Sequence, residues 1–170
     1  MTLNSFQFNT TPGLRYGSGQ AKDSCEEIYN KLGQSILFIT DKGLMSLGLT
    51  EQTLKELKKI SSVEIFDDVE ADPSKKTLLK AIEVGKKIKA TGVIGFGGGS
   101  SMDVAKLTAL ILGSGENLEE AWGVANAKGP RLPLVLIPTT AGTGSEVTPV
   151  SIITVGEEEK KGVSSSLILP

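Results

Sequence analysis

Histidine is absent from all 170 residues, which removes the commonest metal ligand and the usual proton carrier near neutral pH. Cysteine is nearly absent too: Cys25 alone excludes an internal disulfide and argues against a thiolate metal site. Its expected place is the apolar face of a helix, as a small hydrophobe rather than a reactive thiol. No apolar run approaches the roughly 20 residues a membrane helix needs, so no membrane partner is expected. The opening residues MTLNSFQFNT are polar and uncharged, unlike a signal peptide, and a cytoplasmic location is expected. An excess of one charge is missing as well. The net charge is −2, with 18 Lys and Arg scattered among 20 Asp and Glu, which leaves no electrostatic footprint for nucleic acid. The basic pairs at 58–59, 75–76 and 86–87 read as solvated helix faces.

Glycine, by contrast, fills 20 positions, above the average usage of about 7%. A chain of this length can remove about 70% of its unfolded surface from water, enough for one compact domain over 1–170. Amphipathic stretches alternate with short apolar runs. Residues 20–32 place Ala21, Cys25, Ile28 and Leu32 on one stripe, and Gly33 is expected to end that helix. Strands are expected at 36–39, 63–66, 93–96 and 134–137, with helices near 50–59, after Asp72-Pro73 and over 101–112. This alternation predicts an α/β fold: an open, mostly parallel Rossmann-like sheet with helices on both faces. Right-handed crossovers then gather the strand C-terminal ends along one edge, where ligands bind. Residues 150–155 and 163–168 read as a short β-hairpin near the C-terminus. The hydrophilic stretch 113–133 reads as a loop holding one short helix at 118–122.

The strongest local signal is FGGGSSMD at 96–103, between a strand and a helix. Gly97, Gly98 and Gly99 lack side chains, so a phosphate can approach the backbone. The free amides and positive dipole end of the following helix complete an anion site. Ser100 or Ser101 could cap that helix and also donate to a phosphate oxygen. A tight turn without ligand is the alternative, and the pattern is neither GxGxxG nor a Walker loop. Asp41, after the first strand, suits the two ribose hydroxyls of an adenosine and would repel a 2′-phosphate, which favours NAD over NADP. Capping the turn at Lys42-Gly43 is its other reading. PTTAGTGSEVT at 138–148 crowds hydroxyls after the last parallel strand, where they suit a diphosphate–ribose–nicotinamide stretch. A self-stabilising serine/threonine turn explains two of them more readily than all.

GGGSSMDVAK at 97–106 and PTTAGTGSEVT at 138–148 closely resemble the iron-containing, group III alcohol dehydrogenases. Their spacing, Asp41 and Asp72-Pro73 agree, and the resemblance runs from Gly17-Ser18-Gly19 to the end of the chain. Glycerol dehydrogenase and dehydroquinate synthase share the fold more distantly, which implies a dehydroquinate synthase-like N-terminal domain. The resemblance implies interconversion of alcohols with aldehydes or ketones, using NAD(P) and a divalent metal, often iron and sometimes zinc. By position, it implies that Asp41 binds the adenosine ribose and that Asp72 lies near the cofactor. Gly98, Gly99 and Ser100 would hold the pyrophosphate, with Asp103 near the nicotinamide. Thr139, Thr140, Thr143, Thr148 and Ile152 would line the diphosphate and nicotinamide stretch, and Lys161 would contact the nicotinamide ribose.

Members of that family are about twice as long, and their helical second domain supplies the metal through one aspartate and three histidines. No catalytic or metal-binding residue is therefore expected in this chain, and little or no dehydrogenase activity is expected from it alone. An uncovered face toward the second domain, and the strand-like alternation at 3–8, lead us to expect a homodimer or larger species. Two other classes stay open: a free-standing nucleotide- or phosphate-binding module without catalysis, and an assembly piece without ligand.

Overall fold

The computed structural model describes residues 9–157 and 159–170; the strand expected at 3–8 lies outside them. The first helical stretch divides into α1 (Gln20–Asp23) and α2 (Cys25–Leu32). The break falls at Ser24, a weaker helix former than its neighbours, where the single expected helix over 20–32 leaves helical geometry. Gly33 ends α2 with φ 84°, and a Cβ there would stand 2.8 Å from the Thr91 hydroxyl, so only glycine serves. Then follow β1 (Ser35–Ile39), α3 (Lys42–Ser46), α4 (Glu51–Ile60), β2 (Ser62–Phe66), α5 (Lys75–Lys87), β3 (Gly92–Gly97) and α6 (Gly99–Ser114). After α7 (Leu118–Ala121) come β4 (Gly123–Val124), β5 (Leu134–Pro138), β6 (Val150–Val155), β7 (Glu159–Ser164) and a 3₁₀ turn (Ser166–Ile168). Sequence periodicity gave no sign of α3, a five-residue helix in the stretch read as a turn.

One sheet has the order β2-β1-β3-β5, parallel throughout. Residues alternate between its two faces. Ile36, Phe38, Ile94 and Phe96 pack against Cys25, Ile28, Leu32, Leu54 and Leu57 of α2 and α4. Leu37, Ile39 and Val93 face the other way, onto α5 and α6. Cys25 is buried on that helix face, and burial raises its thiol above the usual range, as a structural cysteine requires. Strand order reverses between β1 and β3, so the C-terminal ends of these two strands flank the crevice where such sheets take ligands.

The hairpin exists, but its second strand is β7 at 159–164 rather than 163–168. The turn at Gly156-Glu157 sets the register, pairing Val155 with Glu159 and Ile153 with Lys161. The charged run can join a strand because only one face of the hairpin is dry. Residues beyond Ser164 turn away, and Ser165 caps the 3₁₀ turn by accepting from the Leu167 N–H. With β4 the hairpin forms a second sheet of order β4-β7-β6.

The helix α6 lies between the two sheets, beside α5. Val104, Leu107, Thr108 and Ile111 are buried as expected, yet so is every other residue from 104 to 111, including Lys106. No helix among the described residues is long and apolar enough to cross a membrane. At its C-terminal end α6 touches the loop before β5 through backbone. A Cβ on Gly113 would lie 2.4 Å from the Leu132 nitrogen and 2.5 Å from the Arg131 carbonyl carbon. Alanine would gain about 1 kcal/mol of helix propensity there. The clash is with backbone, which cannot rotate away, and overpacking of this kind costs about 1–3 kcal/mol or more. We expect Gly113→Ala to lower the urea midpoint; a raised midpoint would show that the loop gives way.

Candidate cofactor site

The glycine loop stands at the C-terminal end of β3. Gly97 has φ 151°, and a Cβ there would meet the Ser101 side chain at 2.7 Å and Leu44 of α3 at 3.2 Å. Helix α6 begins at Gly99 with Gly98 as its N-cap, and no side chain caps it. Ser100 and Ser101 are therefore inside the first turn, and the expected serine cap is not formed. A cap residue must sit before the helix with non-helical geometry, and Gly98 already holds that place. The first amides of α6 are left without intrahelical acceptors, at the positive end of a 16-residue helix.

The threonine-rich segment lies directly against this loop. The Thr139 N–H donates to the Gly97 carbonyl at 2.9 Å. A Cβ on Gly98 would reach Thr140 Oγ1 at 3.4 Å, and one on Gly99 would reach Thr143 Cγ2 at 3.4 Å. Side chains at 98 and 99 would thus fill the gap between the two loops. Thr139, Thr140 and Thr143 are exposed and face solvent around that gap. On the other side of the switch, Asp41 caps α3: its Oδ1 accepts from the Leu44 N–H at 2.9 Å. The capping role foreseen for Asp41 is real. It does not exhaust a carboxylate, which offers about four acceptor positions.

Beneath the threonines lies a network built from α6. Asp103 Oδ1 accepts from the Ser145 hydroxyl at 2.5 Å, and Oδ2 accepts from the Ile152 N–H at 3.0 Å. Lys106, wholly buried, donates to Ser145 Oγ at 2.9 Å, to the Thr148 carbonyl at 3.0 Å and to the Val150 carbonyl at 2.8 Å. Its three N–H groups are all used. Asp103 Oδ1 stands 3.8 Å from the ammonium. Burial pushes the Lys106 ammonium down to about 8, opposed by the charges of Asp103 and Glu146. Burial likewise raises Asp103, against the hydrogen bonds from Ser145 and Ile152 and the charge of Lys106. Asp103 is thus drawn into holding Ser145 and Ile152, with its side chain only 16% exposed.

Of the expected residues, Gly97, Gly98, Gly99, Thr139, Thr140 and Thr143 converge on one gap, with Asp41 reached through α3. Ser100 sits on the first turn of α6 beside it. Thr148 and Ile152 are tied to α6 by Lys106 and Asp103. Lys161 stands opposite Ile153 in the hairpin. Asp72 is turned toward the same hairpin rather than the glycine loop: it pairs with Lys160, and its carbonyl accepts from the Thr154 hydroxyl. Sequence reasoning passed over Lys106 and Ser145. The available signal was a lone lysine inside the apolar run VAKLTALIL, three residues after Asp103 and hence on the same helix face.

Removing the ammonium would strand an inward carboxylate and two carbonyls. Lys106→Met should therefore cost about 3–5 kcal/mol, the usual loss when one partner of a buried pair is deleted. Lys160→Met, at an exposed pair, should leave the midpoint almost unmoved. Denaturant unfolding of the two variants makes the comparison; equal effects would refute the clamp.

The family model described as iron-containing alcohol dehydrogenase matches residues 12–170. Sulfoacetaldehyde reductase of Bilophila wadsworthia is 31% identical over 164 residues, which are 95% of this chain and 42% of that protein. NAD-dependent methanol dehydrogenase of Bacillus methanolicus is 32% identical over 148 residues, 86% of this chain and 39% of that one. Among solved structures, 1,3-propanediol oxidoreductase superposes with a TM-score of 0.92 at 28% identity, covering 98% of this chain and 44% of its own. NADH-dependent butanol dehydrogenase A from Thermotoga maritima gives 0.87 at 29%, covering 98% and 42%. The chain spans about two fifths of the length of these relatives. The family model spans nearly the whole chain, glycine loop and threonine-rich segment included, and the chain belongs to the iron-containing alcohol dehydrogenase family.

Proposed function

We propose that residues 1–170 are the dinucleotide-binding domain of an NAD-dependent enzyme that interconverts alcohols with aldehydes or ketones. One observation carries the reading. Gly98 and Gly99, at the N-terminus of a long buried helix, face Thr140 and Thr143 across a gap that any side chain would fill. That gap, lined by free amides and hydroxyls, is suited to a pyrophosphate. Asp41 lies across the switch point, where its unused acceptor positions suit ribose hydroxyls. Thr148 and Ile152, held to α6 by Lys106 and Asp103, and Lys161 on the hairpin would then serve the nicotinamide end. Two relatives whose names specify NAD or NADH support the choice of cofactor.

When bound, NAD supplies the acceptor for hydride; the chain's own residues bind it, orient it and complement its charge. The iron of the family does not fit here. The sequence has no histidine, and among the described residues no three His, Cys, Asp or Glu side chains gather as a metal site. Polarising the alcohol oxygen belongs to groups outside this chain, so we expect it to bind cofactor with little or no turnover alone. We propose a cytoplasmic location for it.

Titration with NADH, followed by nicotinamide fluorescence with NADPH and ADP alongside, tests the reading. NADH should bind in the micromolar to sub-millimolar range and more tightly than NADPH. ADP binding as tightly as NADH would favour a nucleotide module without a nicotinamide site. Asp41→Asn keeps the helix cap, since asparagine caps as well as aspartate, but loses the charge. It should weaken NADH about tenfold, the loss of a charged hydrogen bond, while leaving the unfolding midpoint in place. Light scattering should find a dimer or larger species, for which exposed Leu14, Tyr16, Leu47 and Leu49 offer apolar surface; a clean monomer would count against it.

A further inference from the structure

Strands β1 and β2 are neighbours and run parallel, so their C-terminal ends open side by side. Each delivers acid there: Asp41 after β1, Asp67 and Asp68 after β2. The backbones of Asp41 and Asp68 pair in an isolated bridge, which brings the two carboxylate-bearing residues together. Two lysines reach the same spot. Lys42, next to Asp41 in the chain, donates to Asp68 Oδ1 at 2.5 Å, and Lys80 of α5 donates to Asp68 Oδ2 at 3.2 Å. One carboxylate therefore engages two ammonium groups, one on each oxygen. The lysines hold Asp68 below the usual carboxylate range, and Asp68, helped by Asp67, raises Lys42.

Dinucleotide sites distinguish their cofactors at this place. An acid accepts from the ribose hydroxyl of NAD, and a cation meets the 2′-phosphate of NADP. A phosphate monoester carries about −1.5 to −2 charges near neutral pH, so cations within reach decide whether it is admitted. This edge has both kinds of group: Asp41 for the hydroxyl, and Lys42 and Lys80 as ready-made phosphate ligands. Asp41, Asp67 and Asp68 against two lysines leave the patch one net negative charge.

We propose that Asp68 is a second specificity-determining residue, which keeps Lys42 and Lys80 from a 2′-phosphate and so excludes NADP independently of Asp41. The inference rests on the dinucleotide reading above. Asp41 acts by direct contact and Asp68 through the lysines it occupies. The groups are partly exposed, with side-chain exposures of 71% for Lys42, 43% for Asp68 and 49% for Lys80. Water and salt therefore weaken the effect, which should fade as ionic strength rises.

NADH and NADPH titrations of the whole chain test this at low and high salt. Asp68→Asn should improve NADPH binding about tenfold at low salt, the scale expected when a charge near a dianion is removed and two cations are freed. NADH affinity should change little. Adding Lys42→Met and Lys80→Met to Asp68→Asn should abolish the gain, which mere loss of negative charge would not predict. Combined with Asp41→Asn, the gain should persist. An unchanged NADPH to NADH ratio in a chain that binds NADH overturns the role of Asp68 alone, and so does a gain that survives removal of both lysines. A chain that binds neither dinucleotide in any of these forms overturns the dinucleotide reading and this inference with it.

Discussion

Lys106 carries its ammonium group on a helix buried along the whole stretch 104–111. Desolvating such a charge costs several kcal/mol unless each of its donors finds an acceptor. The three oxygens that meet it all belong to residues 145–150, just beyond the threonines. The segment therefore cannot drift from α6 without exposing an unpaired charge in the interior. That requirement turns a stretch rich in glycine and hydroxyls, which would otherwise be loose, into a fixed wall of the crevice. Asp103 serves the same end from the adjacent turn, so the helix whose N-terminus faces the gap also holds the gap's opposite side.

The glycine loop and the sheet edge are linked by a similar economy of parts. Reversal of strand order between β1 and β3 puts α3 beside Gly97, close enough that a single added carbon would touch Leu44. The groups proposed for the adenosine and for the pyrophosphate thus come from different crossovers, yet share one edge. On the outer flank, β2 contributes its own acids to the same edge. The local charge there is a property of two strand ends and two helices together rather than of any one motif.

The four parallel strands, the longer helices between them and the glycine loop were legible in sequence, because continuous apolar runs and 3.6-residue stripes report burial directly. Failures came where tertiary contact overrode local pattern. The second hairpin strand was read at 163–168, but it begins at Glu159, because pairing with β6 draws in a charged run whose residues 159 and 160 stay exposed. Ser100 and Ser101 read as caps because serine favours that place; the helix began two residues earlier. Lys106 escaped notice because nothing local shows what meets a lone lysine: its acceptors lie about 40 residues away in the chain. Asp68 was invisible as a partner of Lys80 for a related reason, since the lysine arrives on a helix that crosses back over the sheet.

The position of α6 between two sheets bears on how this chain can vary. Helices α2, α4 and α5 each keep a wet face, where substitutions cost little. From 104 to 111, α6 has no such face, and its far end is closed by backbone at Gly113. Change is therefore tolerated mostly around the periphery of the fold. A sequence can drift far there while this one rod, and the crevice hung on it, keep their shape.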